Sequence, residues 1–246
     1  MKLEAVLFDL DNTLILFNET IFFKEYMKNL SAHFTDLMTI QDFTQRLFQA
    51  TLVMVDNNGE QTNAELFINS FGNGADADKD ELWQRFIFFY ENNFEQLRPL
   101  MTPIKKAPEV MLNIQQKGLK IVIATNPMFP MNVQLDRLRW AGLEDFPYEL
   151  ITSADNTSFC KPNLEYYNQI CDKIGVAPQN SLMVGNDPFN DMIASKIGMK
   201  TYLTTDSDHI SIEMSRELAK NAELEMPPPD YKGSLTDLIK VIEGLI

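Results

Sequence analysis

The chain has 246 residues, 45% of them apolar, which is enough to bury a sizeable core in one large domain or in a core plus an insertion. Lys and Arg total 21 against 35 Asp and Glu, a formal charge of −14 that repels nucleic-acid backbones and anionic membrane surfaces and excludes both as expected partners. Glu4, Asp9 and Asp11 break the N-terminal apolar stretch, which fits neither a secretory leader nor a span, and no run elsewhere reaches the roughly 18 apolar residues of a membrane helix.

In chain order, "AVLFDL" from Ala5 is the first predicted strand, apolar on consecutive residues as in a sheet buried on both faces. It ends in Asp9 and Asp11, with Thr13 two residues on. From there to about Leu100 the rhythm is helical. Phe22, Phe23 and Tyr26, then Phe43 and Leu47, then Trp83, Phe86, Phe89 and Tyr90 recur at helix spacing, and no strand pattern intervenes. "VDNNGE" at 55–60 reads as a turn, with Asn58-Gly59 supplying positive φ, and "FGNGADADKDE" at 71–81 as a loop and helix start. The expected division is a core of 1–16 plus 101–246 and a helical cap of 17–100, with hinges near Phe17 and near Pro99 to Pro103.

Beyond the insertion, four helical patterns alternate with four short apolar runs. "APEVMLNIQQKG" leads to "IVIAT" from Ile121, "NVQLDRLRWAG" to "YELIT" from Tyr148, "NLEYYNQICDKIG" to "SLMVG" from Ser181, and "NDMIASKIG" to "TYLTT" from Thr201. A glycine closes each helical pattern, where a left-handed C-terminal cap is wanted. This βαβ series predicts an α/β fold, a doubly wound Rossmann-like parallel sheet carrying the inserted helical cap. After Thr205, "HISIEMSRELAKNAELEMPPP" reads as a surface helix or an irregular crossing. "SLTDLIKVIEGLI" has an N-cap at Ser234, Asp237 three residues later, and an apolar stripe of Leu235, Leu238, Ile239 and Ile242 that should dock on the core.

In an open parallel sheet, ligands bind at the carboxyl ends of the strands near the topological switch point. Asp9, Asp11 and Thr13 follow the first strand; Thr125 and Asn126 follow "IVIA"; Asn186, Asp187 and Asp191 follow "LMVG"; Lys161 precedes the helix starting near Asn163. So many carboxylates in one place repel one another unless a cation sits among them, and hard oxygen donors select Mg²⁺. Thr125, Asn126 and Lys161 are donors suited to an anion, assisted by backbone N–H groups at the helix starts. A divalent cation, an anion cradle and an excess carboxylate describe a phosphoryl-transfer site in which Asp attacks phosphorus.

These segments resemble the haloacid dehalogenase-like (HAD) hydrolase superfamily. "DLDNT" matches its D-x-D-x-T signature, "IVIATN" is similar to its second motif, "CKP" to its lysine motif and "VGNDPFND" to its acidic fourth motif, with the insertion placed as in members with a helical C1-type cap. The resemblance implies Asp9 as nucleophile, Asp11 as general acid then base, and Thr125, Asn126 and Lys161 on the phosphoryl oxygens. It also implies Mg²⁺ held by Asp9, Asp187 and Asp11, the last through its backbone carbonyl. Thr13, Asn186 and Asp191 would support the site, Asp191 by orienting the metal's shell. The fourth motif departs from the common Gly-Asp form by placing Asn186 before Asp187.

The implied function is a Mg²⁺-dependent phosphatase acting on a small phosphorylated metabolite through an aspartyl-phosphate. The presence of Asp11 argues against a dehalogenase, whose family relatives lack a second Asp there. A phosphonate hydrolase would need a cap lysine, and Lys24, Lys28 and Lys79 have no evident apolar pocket. A phosphomutase of the same fold, distinguished by activation with a bisphosphate, and a non-catalytic phosphometabolite-binding protein are the alternatives. A cap rich in Phe and Asn suits a nucleotide or sugar phosphate. Cys160 and Cys171 are too few for a disulfide framework, so a reducing cytoplasm is the simplest home. Cys160 sits beside Lys161, whose charge would lower a thiol pKa, although packing is the plainer role; His33 and His209 have no paired ligand in the sequence. Nothing in the sequence sets an oligomeric state.

Overall fold

The computed structural model describes residues 2–207 and 226–246. The first strand, β1 (Ala5–Phe8), is followed by a short β2 (Ile15–Phe17). The insertion then supplies α1 (Glu19–Ser31), α2 (Ile40–Val55), α3 (Asn63–Phe71) and α4 (Lys79–Asn92) before β3 (Met101–Pro103). The alternating half continues with α5 (Ala107–Gln116), β4 (Lys120–Ile123), α6 (Met131–Trp140) and β5 (Tyr148–Ile151). It ends with α7 (Leu164–Ile174), β6 (Ser181–Gly185), β7 (Lys200–Thr204), β8 (Tyr231–Gly233) and α8 (Leu235–Glu243).

Six strands pair in the order β5-β4-β1-β6-β7-β8, all parallel, so β1 lies between β4 and β6. The pleat sends successive side chains to opposite faces. Val6 and Phe8 pack with Val110, Leu138 and Leu238 from α5, α6 and α8, whereas Ala5 and Leu7 pack with Tyr167, Ile170 and Ile174 from α7. That two-sided burial is why these strands read as continuous apolar runs. The expected α8 is capped as its sequence predicts: Ser234 and Asp237 form a reciprocal capping box, and Leu235, Leu238 and Ile242 are buried.

Three features differ from the sequence reading. β2 and β3 pair antiparallel, Ile15 opposite Pro103 and Phe17 opposite Met101, at the two points expected as hinges. β8 adds a sixth strand beside β7. "NDMIASKIG" forms a 3-10 helix over Met192–Ile197 rather than an α-helix, because the residues before it are held in a turn: the Asp187 carboxylate accepts from the N–H groups of Phe189 and Asn190 (2.8 and 3.1 Å). Residues 208–225, which carry most of the acidic "HISIEMSRELAKNAELEM" stretch and His209, lie outside the described residues.

The insertion is a helical bundle with an aromatic interior. Phe34, Phe43, Phe71 and Phe86 pack edge-on and tilted at centroid separations of 4.9 to 6.5 Å. Its apolar cluster is continuous with that of the sheet, joined where Phe94 stacks on Trp140 at 5.0 Å. At the N-terminus of α3, Asn63 N–H donates to Thr157 O and Ala64 N–H to Ala154 O (both 2.9 Å), tying the insertion to the loop after β5. His33 packs against the rings of Phe88 and Phe89. Among the described residues no helix is long and apolar enough to cross a membrane.

Candidate active site

The Asp9 N–H donates to Val184 O (2.9 Å), and Ala124 N–H donates to Phe8 O (2.6 Å), so the end of β1 is fixed between the ends of β6 and β4. Beyond Asp9 the chain turns sharply: Leu10 O accepts from the N–H groups of Thr13, Leu14 and Ile15. Asn12 takes the left-handed conformation at φ +54°, tolerable for an asparagine, and its Oδ1 accepts from Phe17 N–H (3.1 Å). This buried asparagine, which the sequence reading did not single out, links the loop after Asp9 to β2.

Lys161 is buried and makes two ion pairs, Nζ to Asp9 Oδ1 at 2.9 Å and to Asp191 Oδ1 at 2.6 Å. Asp191 Oδ2 in turn accepts from Asp187 N–H (3.0 Å). Thr13 Oγ1 lies 3.2 Å from both Asp9 Oδ2 and Asn186 Oδ1, so the ends of β1 and β6 meet across one hydroxyl. Asn126 Oδ1 accepts from Lys161 N–H (3.2 Å) and so holds the lysine loop to the end of β4. Thr125 is fully buried, and its Oγ1 has no hydrogen-bond partner.

The Asp11 carboxylate forms an ion pair with Arg137 Nη2 on α6. Arg137 is buried, donates from Nη1 to Gln134 Oε1 (2.9 Å) and lies over the Phe129 ring at 5.5 Å. Nothing in the sequence marked Arg137 as functional; it stands four residues after Val133, on the face of α6 that points inward, and a buried arginine there requires a partner.

Burial dominates the electrostatics. It pulls the Arg137 guanidinium down to about 10, against the opposing charge of Asp9. It would also lower Lys161, yet Asp191 and Asp9 together hold that ammonium well above the ordinary lysine value. Burial pushes Asp191 upward, with Asp9 and Asp187 adding to the effect and Lys161 opposing it. For Cys160 the outcome is opposite to the lowering considered from sequence: burial raises its thiol to about 12, and its Sγ accepts from Asn63 Nδ2 (3.4 Å) as a packing group.

Asp9, Asp11, Asn126, Lys161, Asn186, Asp187 and Asp191 all border one cavity of about 780 Å³ between the strand ends and α1, α2 and α4, while Thr13 and Thr125 sit behind its wall. Among the described residues no three His, Cys, Asp or Glu side chains form a metal-holding cluster. The Asp11 carboxylate is engaged by Arg137, which leaves its backbone carbonyl, the group expected to face the metal, unaffected. The donors that do converge, carboxylates of Asp9 and Asp187 and the amide carbonyl of Asn186, are hard oxygens of the kind Mg²⁺ takes. Four carboxylates (Asp9, Asp11, Asp187 and Asp191) face two cations (Lys161 and Arg137), and the formal charge left over matches one divalent ion.

A family model for haloacid dehalogenase-like hydrolases matches residues 3–197. The chain is 24% identical to the pyrophosphatase PpaX of Bacillus mycoides, the match covering 100% of this chain and 99% of that one. Among solved structures, a predicted phosphoglycolate phosphatase from Haemophilus somnus superposes with a TM-score of 0.57 at 17% identity, covering 98% of both chains. The HAD-hydrolase YfnB of Bacillus subtilis, described as bound to magnesium, superposes with a TM-score of 0.55 at 22% identity, covering 99% of this chain and 100% of that one.

Proposed function

Because the chain belongs to the haloacid dehalogenase-like hydrolase family, we propose that it is a Mg²⁺-dependent phosphatase that hydrolyses a phosphomonoester through phosphorylation of Asp9. The observation that carries this reading is the convergence of three adjacent strand ends on one cavity: β1 brings Asp9, β4 brings Asn126, and β6 brings Asn186 and Asp187.

Asp9 attacks phosphorus with Oδ2 or Oδ1, forming the acyl phosphate as the ester O–P bond breaks. Lys161 pairs with Asp9 and stands beside the position of the phosphoryl oxygens, and the unpartnered Thr125 hydroxyl is available as a donor behind them. Asp11 protonates the departing alkoxide, then takes the proton from the water that hydrolyses the acyl phosphate. To carry a proton Asp11 must leave Arg137, whose charge favours the ionised carboxylate. With Mg²⁺ bound by Asp9, Asp187, Asn186 and the Asp11 carbonyl, the metal supplies charge neutralisation for an incoming phosphate dianion. Asp11 at this position argues against dehalogenation, and residues 17–100 serve as the cap that covers the site.

The test is release of phosphate from p-nitrophenyl phosphate and from a panel of phosphorylated metabolites by the purified chain with Mg²⁺. Turnover that disappears in Asp9→Asn and after EDTA treatment supports the reading. No release from any compound would favour the binding-protein alternative.

A further inference from the structure

The cavity is far larger than a phosphoryl group, and its outer wall has a uniform chemistry. Its volume of about 780 Å³ is that of sites enclosing drug-sized molecules. Away from Asp9 it is walled by Phe23, Met27, Leu47, Phe67, Trp83 and Phe129. Among the described residues bordering it, Lys161 is the sole cation, and both of its ion-pair partners are carboxylates of the site itself. On the side of the insertion the single charged residue is Glu19, an anion.

The polar groups of that wall are few, and its hydroxyls each already have a partner within the protein. Thr44 Oγ1 donates to Ile40 O and Thr51 Oγ1 to Leu47 O, each at 2.8 Å within α2, and the Tyr26 and Tyr90 hydroxyls bond one another at 2.8 Å. The asparagines that suggested a nucleotide or sugar phosphate do not border the cavity: Asn57 Nδ2 binds Gln61 O and Asn63 Oδ1, and Asn63 faces Thr157. A second phosphate, a carboxylate or a row of sugar hydroxyls entering here would lose more water than the Trp83 indole N–H and the remaining tyrosine O–H could replace. An apolar group would gain by the same burial. Phe48, 60% exposed on α2, borders the cavity and extends this apolar wall toward solvent.

We propose that the phosphate ester hydrolysed at this site carries a large, uncharged, apolar alcohol. The proposal rests on the phosphatase reading above and narrows it. It sets the chain apart from enzymes for pyrophosphate, phosphoglycolate or phosphosugars, including a mutase that must seat a second phosphate.

The test is the ratio of kcat/KM values for the purified chain with Mg²⁺. Unbranched alkyl phosphates from ethyl to dodecyl, kept below their micelle concentrations, hold the leaving-group chemistry constant while chain length varies. The expected result is a rise of roughly two- to fourfold per methylene until the cavity is filled, with the longer esters at least a hundredfold better than phosphoglycolate, inorganic pyrophosphate, glucose 6-phosphate or adenosine monophosphate. 1-Naphthyl phosphate is compared with phenyl phosphate, whose leaving group is similar: a higher kcat/KM for the larger ring supports an apolar wall that also takes aryl groups, and equal values count against it. A flat chain-length series, or preference for any charged or hydroxylated ester, overturns the proposal while leaving the phosphatase reading intact. No turnover of any ester overturns both. Leu47→Arg supplies the missing cation and should cut the dodecyl-to-phosphoglycolate ratio at least tenfold; an unchanged ratio in the folded variant, checked by circular dichroism, also counts against it.

Discussion

Arg137 on α6, buried behind the cavity wall, forms an ion pair with Asp11, two residues beyond the strand-end carboxylate of Asp9. The contact gives the proposed proton carrier a defined resting position, so Arg137 acts as a positioning residue. Arg137→Gln should lower kcat for ethyl phosphate by roughly tenfold to a hundredfold, within the range supplied by general acid catalysis. The loss for p-nitrophenyl phosphate should be several-fold smaller, because nitrophenolate departs without a proton. Equal losses on both esters would reduce Arg137 to a packing role.

Lys161 separates two carboxylates, Asp9 and Asp191, in a region where all three are buried. Removing the cation leaves uncompensated charge, so Lys161→Met should destabilise the fold by about 3–5 kcal/mol in urea denaturation. Asp191→Leu added to it should recover part of that loss, and the coupling is read from the double-mutant cycle. A neutral Lys161→Met would mean that solvent reaches this cluster.

The buried thiols and phenols set an alkaline limit on stability. Burial raises Cys160 to about 12 and Tyr90 to about 12, and raises Tyr26 well above the ordinary phenol value. Each is neutral in the fold and ionises more readily when unfolded, so its contribution is complete below its unfolded pKa and is lost as pH rises toward the folded one. The unfolding free energy should therefore be insensitive to these groups below about pH 8.5 and fall steadily above it. At pH 8 iodoacetamide should modify neither cysteine in the native protein, and both in urea.

Divalent-cation binding should be visible without turnover. Mg²⁺ at a hundredfold excess over its Kd should stabilise the fold by about 2.7 kcal/mol, measured as a concentration-dependent rise in Tm. Asp187→Asn should weaken that response while leaving the Asp187 turn to Asn190 largely in place. A Tm indifferent to Mg²⁺ would remove the metal from the proposal.

The sheet was legible because its strands are buried on both faces, which leaves consecutive apolar residues in the sequence. Asp9, Asn126, Lys161 and Asp187 were legible because each lies within three residues of a strand's end or a helix's start, where the fold sends chain ends to one edge. What escaped was short or tertiary. β2, β3 and β8 have three residues each, too few for a pattern to emerge. Arg137 resembles any arginine on a helix until the structure buries it. Asn63 carries no local signal either, since its hydrogen bond to Thr157 spans 94 positions of sequence. Cys160 takes the packing role that was the plainer sequence reading, because its neighbour Lys161 is charge-neutralised by Asp9 and Asp191 and burial sets the thiol's behaviour.

The antiparallel ribbon of β2 and β3 brings the two ends of the helical excursion side by side, with Phe17 opposite Met101. Every strand of the six-stranded sheet is made from residues outside that excursion. The ribbon is therefore a graft point: a segment of different length or composition can be spliced between its strands without altering the order of the sheet or the attachment of Asp9 to it. Most of the apolar wall, Phe129 excepted, thus comes from a stretch of chain separate from the strand ends that carry Asp9, Asn126 and Asp187.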